Sequence, residues 1–243
     1  MTEKIIKILS EYTKIPVEQL HSGTMIGRSA VSNSIILHRM YAAIAKEGIN
    51  ITDYQEIKTV GDLESRISGV EMSVDVIPAA KIGSQLTGTP GQERIGIDLE
   101  ETSKMPRVND FREDAFYAMN FTQQEIAYCI LQPDPYASFT GLFAAKEAII
   151  KADNSYKQTA FNKIFIDHLP GGQPVFNGFS LSISHVGDFS VAVAIMNLDL
   201  PNMNGPGQND TVVKNNRNFS VLVSIIAILL ALIAIGISLF KNN

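Results

Sequence analysis

The sequence contains almost no cysteine, no dense run of positive charge and no uninterrupted apolar stretch at its start. Its one cysteine, Cys129, excludes an intramolecular disulfide and fits a reducing compartment. Lysine and arginine are scattered through a chain of net charge −5, so no nucleic-acid partner is expected. Charges at Glu3, Lys4 and Lys7 interrupt the first segment, and no secretory signal peptide is predicted.

One long apolar segment lies near the end of the sequence. Residues 219–240 contain no charged side chain and consist mainly of Ile, Leu, Val and Ala. At about 1.5 Å per residue, a helix of this length spans the roughly 30 Å hydrocarbon core of a bilayer. Lys214 and Arg217 precede it and Lys241 follows it. By the positive-inside tendency, the sequence predicts a single-pass C-terminal membrane anchor with the globular domains in the cytoplasm.

Two segments rich in glycine, proline or asparagine divide the remaining chain. Residues 69–93 lack a long amphipathic run and are interpreted as a linker. Residues 199–218 are interpreted as a flexible spacer ahead of the apolar segment. The sequence therefore predicts an N-terminal module over residues 1–68 and a central module over residues 94–198.

The N-terminal module has the periodicity of helices. Apolar residues recur at helical spacing from Ile5 to Tyr12 and again from Ile36 to Ile44, and a shorter helix follows Thr59. The pattern predicts a bundle of three or four helices, which is small but viable at this length.

The central module mixes helical and strand patterns, which predicts an α+β fold. Thr122 and Glu125 have the spacing of a capping box at a helix start. Residues 141–152 form a strongly helical stretch, and residues 95–99 form a strand that ends in acids. Alternating apolar residues predict further strands at 164–166, 180–183 and 190–195.

Acidic and basic side chains in the central module have the spacing of a metal and phosphate site. Asp98 and Glu100 alternate on a strand and so share one of its faces, and Glu147 and Lys151 share one face of a helix. Carboxylates from two elements suit Mg²⁺, which takes much of its shell from waters and phosphates. Lys151 would add a positive charge, and His185, at a turn, a hydrogen bond. Each feature alone is also typical of an ordinary surface or turn, so the hypothesis depends on their combination.

Three motifs resemble the signatures of the 4′-phosphopantetheinyl transferases. They are Gly-Ile-Asp with a nearby Glu from Gly96, Phe-x-x-Lys-Glu-Ala-x-x-Lys from Phe143, and Ser-His-x-x-Asp from Ser184. Residues 121–125 and 137–141 are similar to the holo-acyl-carrier-protein synthase branch in particular. The resemblance implies transfer of phosphopantetheine from coenzyme A to a serine of a carrier protein, in cis or in trans, as in fatty acid or polyketide biosynthesis.

The resemblance also implies a role for each candidate residue. Asp98 and Glu147 would ligate a Mg²⁺ that bridges the coenzyme A pyrophosphate, with Glu100 as a third ligand. Lys151 would neutralise the charge that develops on the leaving 3′,5′-ADP, and His185 would help to bind coenzyme A. Either Glu147 or a water held by Asp98 would take the serine proton. Such a transfer depends mainly on positioning and electrostatic stabilisation.

One position departs from the family pattern. Leu142 stands where the family usually has an arginine, so one cation is missing, although no proposed metal ligand is affected. The departure keeps a second function open, that of a catalytically weak, membrane-tethered scaffold that binds carriers or coenzyme A. Small synthases of this family are commonly trimers, and the resemblance implies a homotrimer here.

The N-terminal module resembles an acyl carrier protein. Residues 33–39, 46–51 and 58–63 carry the likeness, and Ser34 occupies the place of the serine that accepts phosphopantetheine at a helix start. Asn33 stands where carriers usually have Asp, and the module lacks their strong acidity. Two interpretations remain: phosphopantetheine is attached to Ser34, or Ser34 only caps a helix in a module that serves for docking.

Overall fold

The computed structural model describes most of the two predicted modules. The described residues are 1–49, 51, 54–68 and 94–196. The predicted linker, spacer and transmembrane helix, residues 69–93, 199–218 and 219–240, lie outside them. Within the described ranges, no helix is both long enough and apolar enough to cross a bilayer.

The described chain forms two compact units that do not follow the predicted module boundary. Residues 104–126 and 157–164 group with the described N-terminal residues in the first unit. The second unit contains 94–103, 127–156 and 165–196. The first unit thus takes two segments from the predicted central module.

The first unit is helical, as the periodicity predicts for its N-terminal part. Its helices are α1 (Glu3–Thr13), α2 (Ser34–Lys46), α3 (Val60–Ile67) and α4 (Ala115–Asn120), with short 3-10 turns at Val17–Gln19, Tyr54–Glu56 and Phe161–Lys163. Ile5 and Leu9, one turn apart on α1, are buried in the core of this unit. Met119 of α4 packs against the same core. The likeness of this bundle to a carrier protein stays a prediction.

The second unit is a sheet covered by one long helix. Its strands are β1 (Arg94–Glu101), β4 (Phe179–Val186) and β5 (Phe189–Met196), antiparallel in the order β1-β5-β4. A separate ribbon pairs β2 (Asp167–His168) with β3 (Pro174–Val175), and the long helix is α6 (Pro135–Ala152). The predicted α+β character of the central module is confirmed.

Local signals explain where the helices of this module begin. At α5 (Gln123–Ile130), Thr122 and Glu125 form the predicted capping box, in which each side-chain oxygen accepts from the other residue's backbone N–H. Helix α6 begins before the predicted residue 141, because the Asp134 side chain accepts from the Ala137 N–H and Pro135 occupies the first turn.

The strand predicted at residues 164–166 is wrong. Ile164 and Ile166 are buried while Phe165 is exposed, which reproduces the alternation of a strand. Ile164, however, closes a 3-10 turn through its N–H bond to the Phe161 carbonyl, and regular pairing starts only at Asp167. Burial therefore alternates here along an irregular connection.

Candidate active site

The site is built on a close approach between β1 and α6. A Cβ atom at Gly96 would lie 1.9 Å from the Ala148 carbonyl oxygen and 2.6 Å from the Ala152 nitrogen. Only a glycine permits this spacing, since both neighbours are backbone atoms of the helix. The glycine that opens the first motif is therefore what brings the acids of β1 to the helix.

Asp98 and Lys151 meet across this contact. The Lys151 ammonium donates to Asp98 Oδ1 at 2.6 Å and to the Ile97 carbonyl at 3.0 Å. The Asp98 side chain is 8% exposed and the Lys151 side chain 45% exposed, so the carboxylate is buried while the ammonium reaches it from the solvent side. The structure thus joins the predicted metal ligand on the strand to the predicted phosphate-binding cation on the helix.

Three further charged side chains on β1 and α6 are buried. Glu100 is 3% exposed on the same face of β1 as Asp98, and Glu147 is 2% exposed on α6. Lys146, next to Glu147, is fully buried. Charged groups are rarely buried without compensation, so this concentration of them is a candidate functional site.

Mg²⁺ fits the donor chemistry of these buried carboxylates. The ion is usually held by one or two protein carboxylates together with phosphates and waters, and Asp98 and Glu147 would supply those two. Across the part of the chain that the structure describes, no three acidic, histidine or cysteine side chains gather into a metal-binding group. Glu100 as a third ligand stays a prediction.

His185 is held by a serine on the neighbouring strand. Its Nδ1 lies 2.8 Å from the Ser190 oxygen, and the Ser190 hydroxyl donates to the Ala137 carbonyl at 3.3 Å. Because that hydroxyl proton is already used, the imidazole donates from Nδ1 and its Nε2 remains as an acceptor. Desolvation lowers the pKa of His185, and the Asp134 carboxylate opposes this effect. Neutral imidazole is therefore its resting form.

Sheet register relates His185 to the acids. His185 pairs with Ser190, and Ser190 pairs with Glu100, so the three side chains form one row across the sheet. A Cβ atom at Gly141 would lie 2.5 Å from the His185 ring, so this second glycine makes room for the imidazole against α6. The helix thus contacts both the acids and the histidine through glycines.

A cavity of about 120 Å³ opens beside His185. Leu142 lines it, at the position of the missing arginine. His168 lines it as well, with its ring stacked on Tyr128 at a centroid distance of 3.7 Å. Sequence reasoning did not single out His168, Tyr128 or Ser190, because no local pattern links residues so far apart in the chain.

Ser34 lies in the first unit and is buried. It is the first residue of α2 and is 6% exposed. Asn33 is the capping residue, with its side chain accepting from the Ile36 N–H at 2.9 Å. Ser34 therefore does not cap the helix, and its hydroxyl is largely covered in this conformation.

Known proteins resemble the region that contains these motifs. The family model described as the 4′-phosphopantetheinyl transferase superfamily matches residues 94–194. The holo-acyl-carrier-protein synthase of Chlorobaculum tepidum is 35% identical over 111 residues, which are 42% of this chain and 95% of that protein. The synthase of Chloroherpeton thalassium is 31% identical over 119 residues, covering 44% of this chain and 98% of that protein.

Two further matches are a much longer protein and a solved structure. The fatty acid synthase alpha subunit pigJ of Monascus ruber is 40% identical over 73 residues, and the chain spans 4% of its length. A crystal structure of a holo-acyl-carrier-protein synthase from Bacillus anthracis, in complex with coenzyme A (3′,5′-ADP), covers 42% of this chain and 93% of that one, at 28% identity and a TM-score of 0.35. The sequence matches carry the assignment: the chain belongs to the 4′-phosphopantetheinyl transferase superfamily and is an enzyme of that class.

Proposed function

We propose that the protein transfers 4′-phosphopantetheine from coenzyme A to a serine of an acyl or peptidyl carrier protein and releases 3′,5′-ADP, in fatty acid or related biosynthesis. The observation that carries the proposal is the contact of Lys151 with Asp98, next to the buried Glu147, where Gly96 lets β1 reach α6. The synthases that match this region act on acyl carrier proteins by name, which supports the acceptor class.

In the proposed reaction, the carrier serine oxygen attacks the phosphorus that bears the pantetheine arm. A new P–O bond to serine forms as the bond from that phosphorus to the 3′,5′-ADP oxygen breaks. Glu147, or a water held by Asp98, accepts the serine proton, while Lys151 stabilises the negative charge on the leaving group. A positioned charge in a water-poor layer contributes far more than the same charge in solvent.

The metal would bind next to these residues. Asp98 and Glu147 would hold Mg²⁺, with Glu100 as a further ligand. The bound ion would neutralise the pyrophosphate and polarise the phosphorus that is attacked. Lys151 donates to Asp98 Oδ1, and we expect its ammonium to move toward the phosphates when the nucleotide is bound.

Ser34 is the acceptor candidate within the chain. Its 6% exposure means that the start of α2 must open before the hydroxyl can attack. A separate carrier needs no such opening, so we expect carriers supplied in trans to be loaded faster than Ser34.

Intact-mass spectrometry tests transfer and acceptor together. Residues 1–218 are incubated with coenzyme A and Mg²⁺, alone and with an apo-acyl-carrier protein. Gain of one phosphopantetheine on the added carrier, lost in Glu147→Ala, supports the transferase. Gain on the chain itself, lost in Ser34→Ala, supports loading in cis.

The scaffold alternative predicts a different result in the same loading experiment. Leu142 favours it, since the family's usual cation is missing there. A scaffold would bind coenzyme A with a dependence on Mg²⁺ and on Asp98, yet load no carrier. Calorimetric binding without mass gain over a panel of carriers would replace the transferase by the scaffold.

The membrane anchor and the trimer are further proposals. Residues 219–240 would hold the protein at a membrane with its globular part in the cytoplasm. Sedimentation of the chain with and without residues 219–243 on lipid vesicles tests this.

The outer face of β1 exposes Ile95, Ile97 and Leu99 at 49%, 42% and 52%. Apolar surface of this kind supports self-association, which light scattering measures.

A further inference from the structure

The cavity beside His185 has the chemistry of an anion site. It lies in the second unit, and the side chains around it supply two imidazoles, from His168 and His185, and two hydroxyls, from Tyr128 and Ser138. None of its lining residues, all of which the structure describes, is an aspartate or a glutamate. Its volume of about 120 Å³ admits a single phosphate-sized group together with part of a ring.

His168 is fixed in this cavity from two directions. Its ring stacks on Tyr128, with an angle of 11° between the ring planes. Its backbone belongs to the β2–β3 ribbon, where it pairs with Pro174. The turn between these strands is closed by the Leu169 N–H bond to the Gln173 carbonyl at 2.9 Å. The imidazole is therefore preorganised, which lowers the entropy lost when it binds a ligand.

Leu142 and His168 line the same cavity from different elements. Leu142 belongs to α6, at the position where the family pattern has an arginine, while His168 belongs to the ribbon. A group that can carry a positive charge is thus present in the cavity even though the helix does not supply it. The arginine of the family pattern is missing from α6, and the imidazole of His168, 26 positions further along the chain, lines the same cavity.

Helix α6 connects the cavity to the residues proposed to bind the pyrophosphate. Leu142 precedes Glu147 by five residues on α6, which is about 7.5 Å along the helix axis. Coenzyme A carries a pyrophosphate and, on the ribose, a separate phosphate monoester. If Asp98, Glu147 and Lys151 serve the pyrophosphate, the monoester is the remaining anionic group of the substrate, and the cavity is a donor-lined space that the same helix borders.

We propose that His168 binds the 3′-phosphate monoester of coenzyme A in place of the cation absent at Leu142. His168 is then the residue that makes the enzyme prefer coenzyme A over dephospho-coenzyme A. The inference rests on the proposed function, since it names a specificity residue for that substrate.

The test compares two phosphopantetheine donors on the full-length chain in mild detergent, with an apo-acyl-carrier protein as acceptor. A hydrogen bond to the charged monoester corresponds to roughly a ten- to hundredfold effect. In His168→Ala, kcat/KM for coenzyme A should fall by that factor through KM, while kcat/KM for dephospho-coenzyme A should stay unchanged. Leu169→Ala, at an exposed neighbouring residue, should leave both values unchanged, and His168→Arg should retain the preference for coenzyme A.

Equal loss with both donors, or no loss with either, in His168→Ala would overturn the assignment while leaving the transferase intact. Absence of transfer by the wild-type chain would instead refute the proposed function. In that event, calorimetry with 3′,5′-ADP and with 5′-AMP, which lacks only the 3′-phosphate, still decides about the cavity. Tighter binding of 3′,5′-ADP that disappears in His168→Ala supports the site, and equal affinity for the two nucleotides overturns it.

Discussion

Gly96 has no side chain, and yet it decides how close the acids of the site come to the helix. A methyl group there would overlap the backbone of α6 at Ala148 and Ala152. We expect Gly96→Ala to destabilise the protein by about 3 kcal/mol, because neither the strand nor the helix backbone can move aside cheaply. Urea denaturation measures this loss. Gly171→Ala is the matched control, since a Cβ there meets nothing within 4 Å, and an equal effect of both substitutions would refute the argument.

Lys151 is the charged residue whose loss should affect the reaction more than the fold. Its ammonium is partly exposed, so its contact with Asp98 contributes little to stability. In the proposed reaction its charge faces the group that becomes negative in the transition state, and we expect Lys151→Met to lower kcat by roughly 10²- to 10³-fold with a smaller change in KM. Steady-state loading of a carrier protein measures both constants.

Lys157→Met removes the same charge six residues further on, outside the site, and should leave kcat unchanged. A drop in kcat shared by both variants would mean that net charge, and not the position of Lys151, governs the rate.

At the scale of elements, sequence reasoning succeeded where the signal is local. Each of these signals, namely the glycine and alternating acids of β1, the capping box of α5 and the apolar alternation of β4 and β5, is contained in a few consecutive residues. It missed the stack of His168 on Tyr128 and the support of His185 by Ser190, because these depend on strand register and on a loop closure over 40 positions. It also wrongly predicted a strand at residues 164–166, where burial alternates without a strand.

The packing of α2 on α4 inside the first unit contains a buried histidine. His38 donates from Nδ1 to the Asn120 side-chain oxygen, while the Asn120 amide donates to the Phe116 carbonyl. The ring lies edge-on to Tyr54 and Phe161. Burial lowers the pKa of His38 to about 3, partly opposed by the bond to Asn120, so the folded protein keeps this imidazole neutral.

This contact should make the first unit sensitive to acid. Above about pH 6.5 His38 is neutral in both the folded and the unfolded states and contributes no pH dependence. Between about pH 6 and pH 3 the unfolded state binds a proton that the folded state does not, so stability falls as pH falls, by up to about 1.4 kcal/mol per pH unit. Denaturation of wild type and of His38→Gln over this range measures the difference in slope. Parallel pH profiles would show that His38 titrates alike in both states.

At the scale of the whole molecule, the region that matches the synthases does not coincide with one compact unit. The synthases of Chlorobaculum tepidum and Chloroherpeton thalassium match this chain over nearly their whole length. In this chain, part of the matched region belongs to the same compact unit as the N-terminal helices. Arg39 donates to the Lys104 carbonyl at 2.9 Å, and Lys46 forms an ion pair with Asp114 at 2.9 Å.

These contacts predict that the matched region does not fold by itself. Residues 94–196 alone would expose the surfaces of Met119 and Phe161 that α2 and its neighbours cover in the first unit. We expect this fragment to lose cooperative unfolding and carrier loading, whereas residues 1–196 should keep both. Thermal denaturation and carrier loading of the two fragments test this. A fragment 94–196 that unfolds cooperatively and loads a carrier would mean that the N-terminal helices are an appended domain. Its failure would mean that they have become part of the enzyme's own core, so that a helix placed like that of a carrier serves chiefly to complete the transferase.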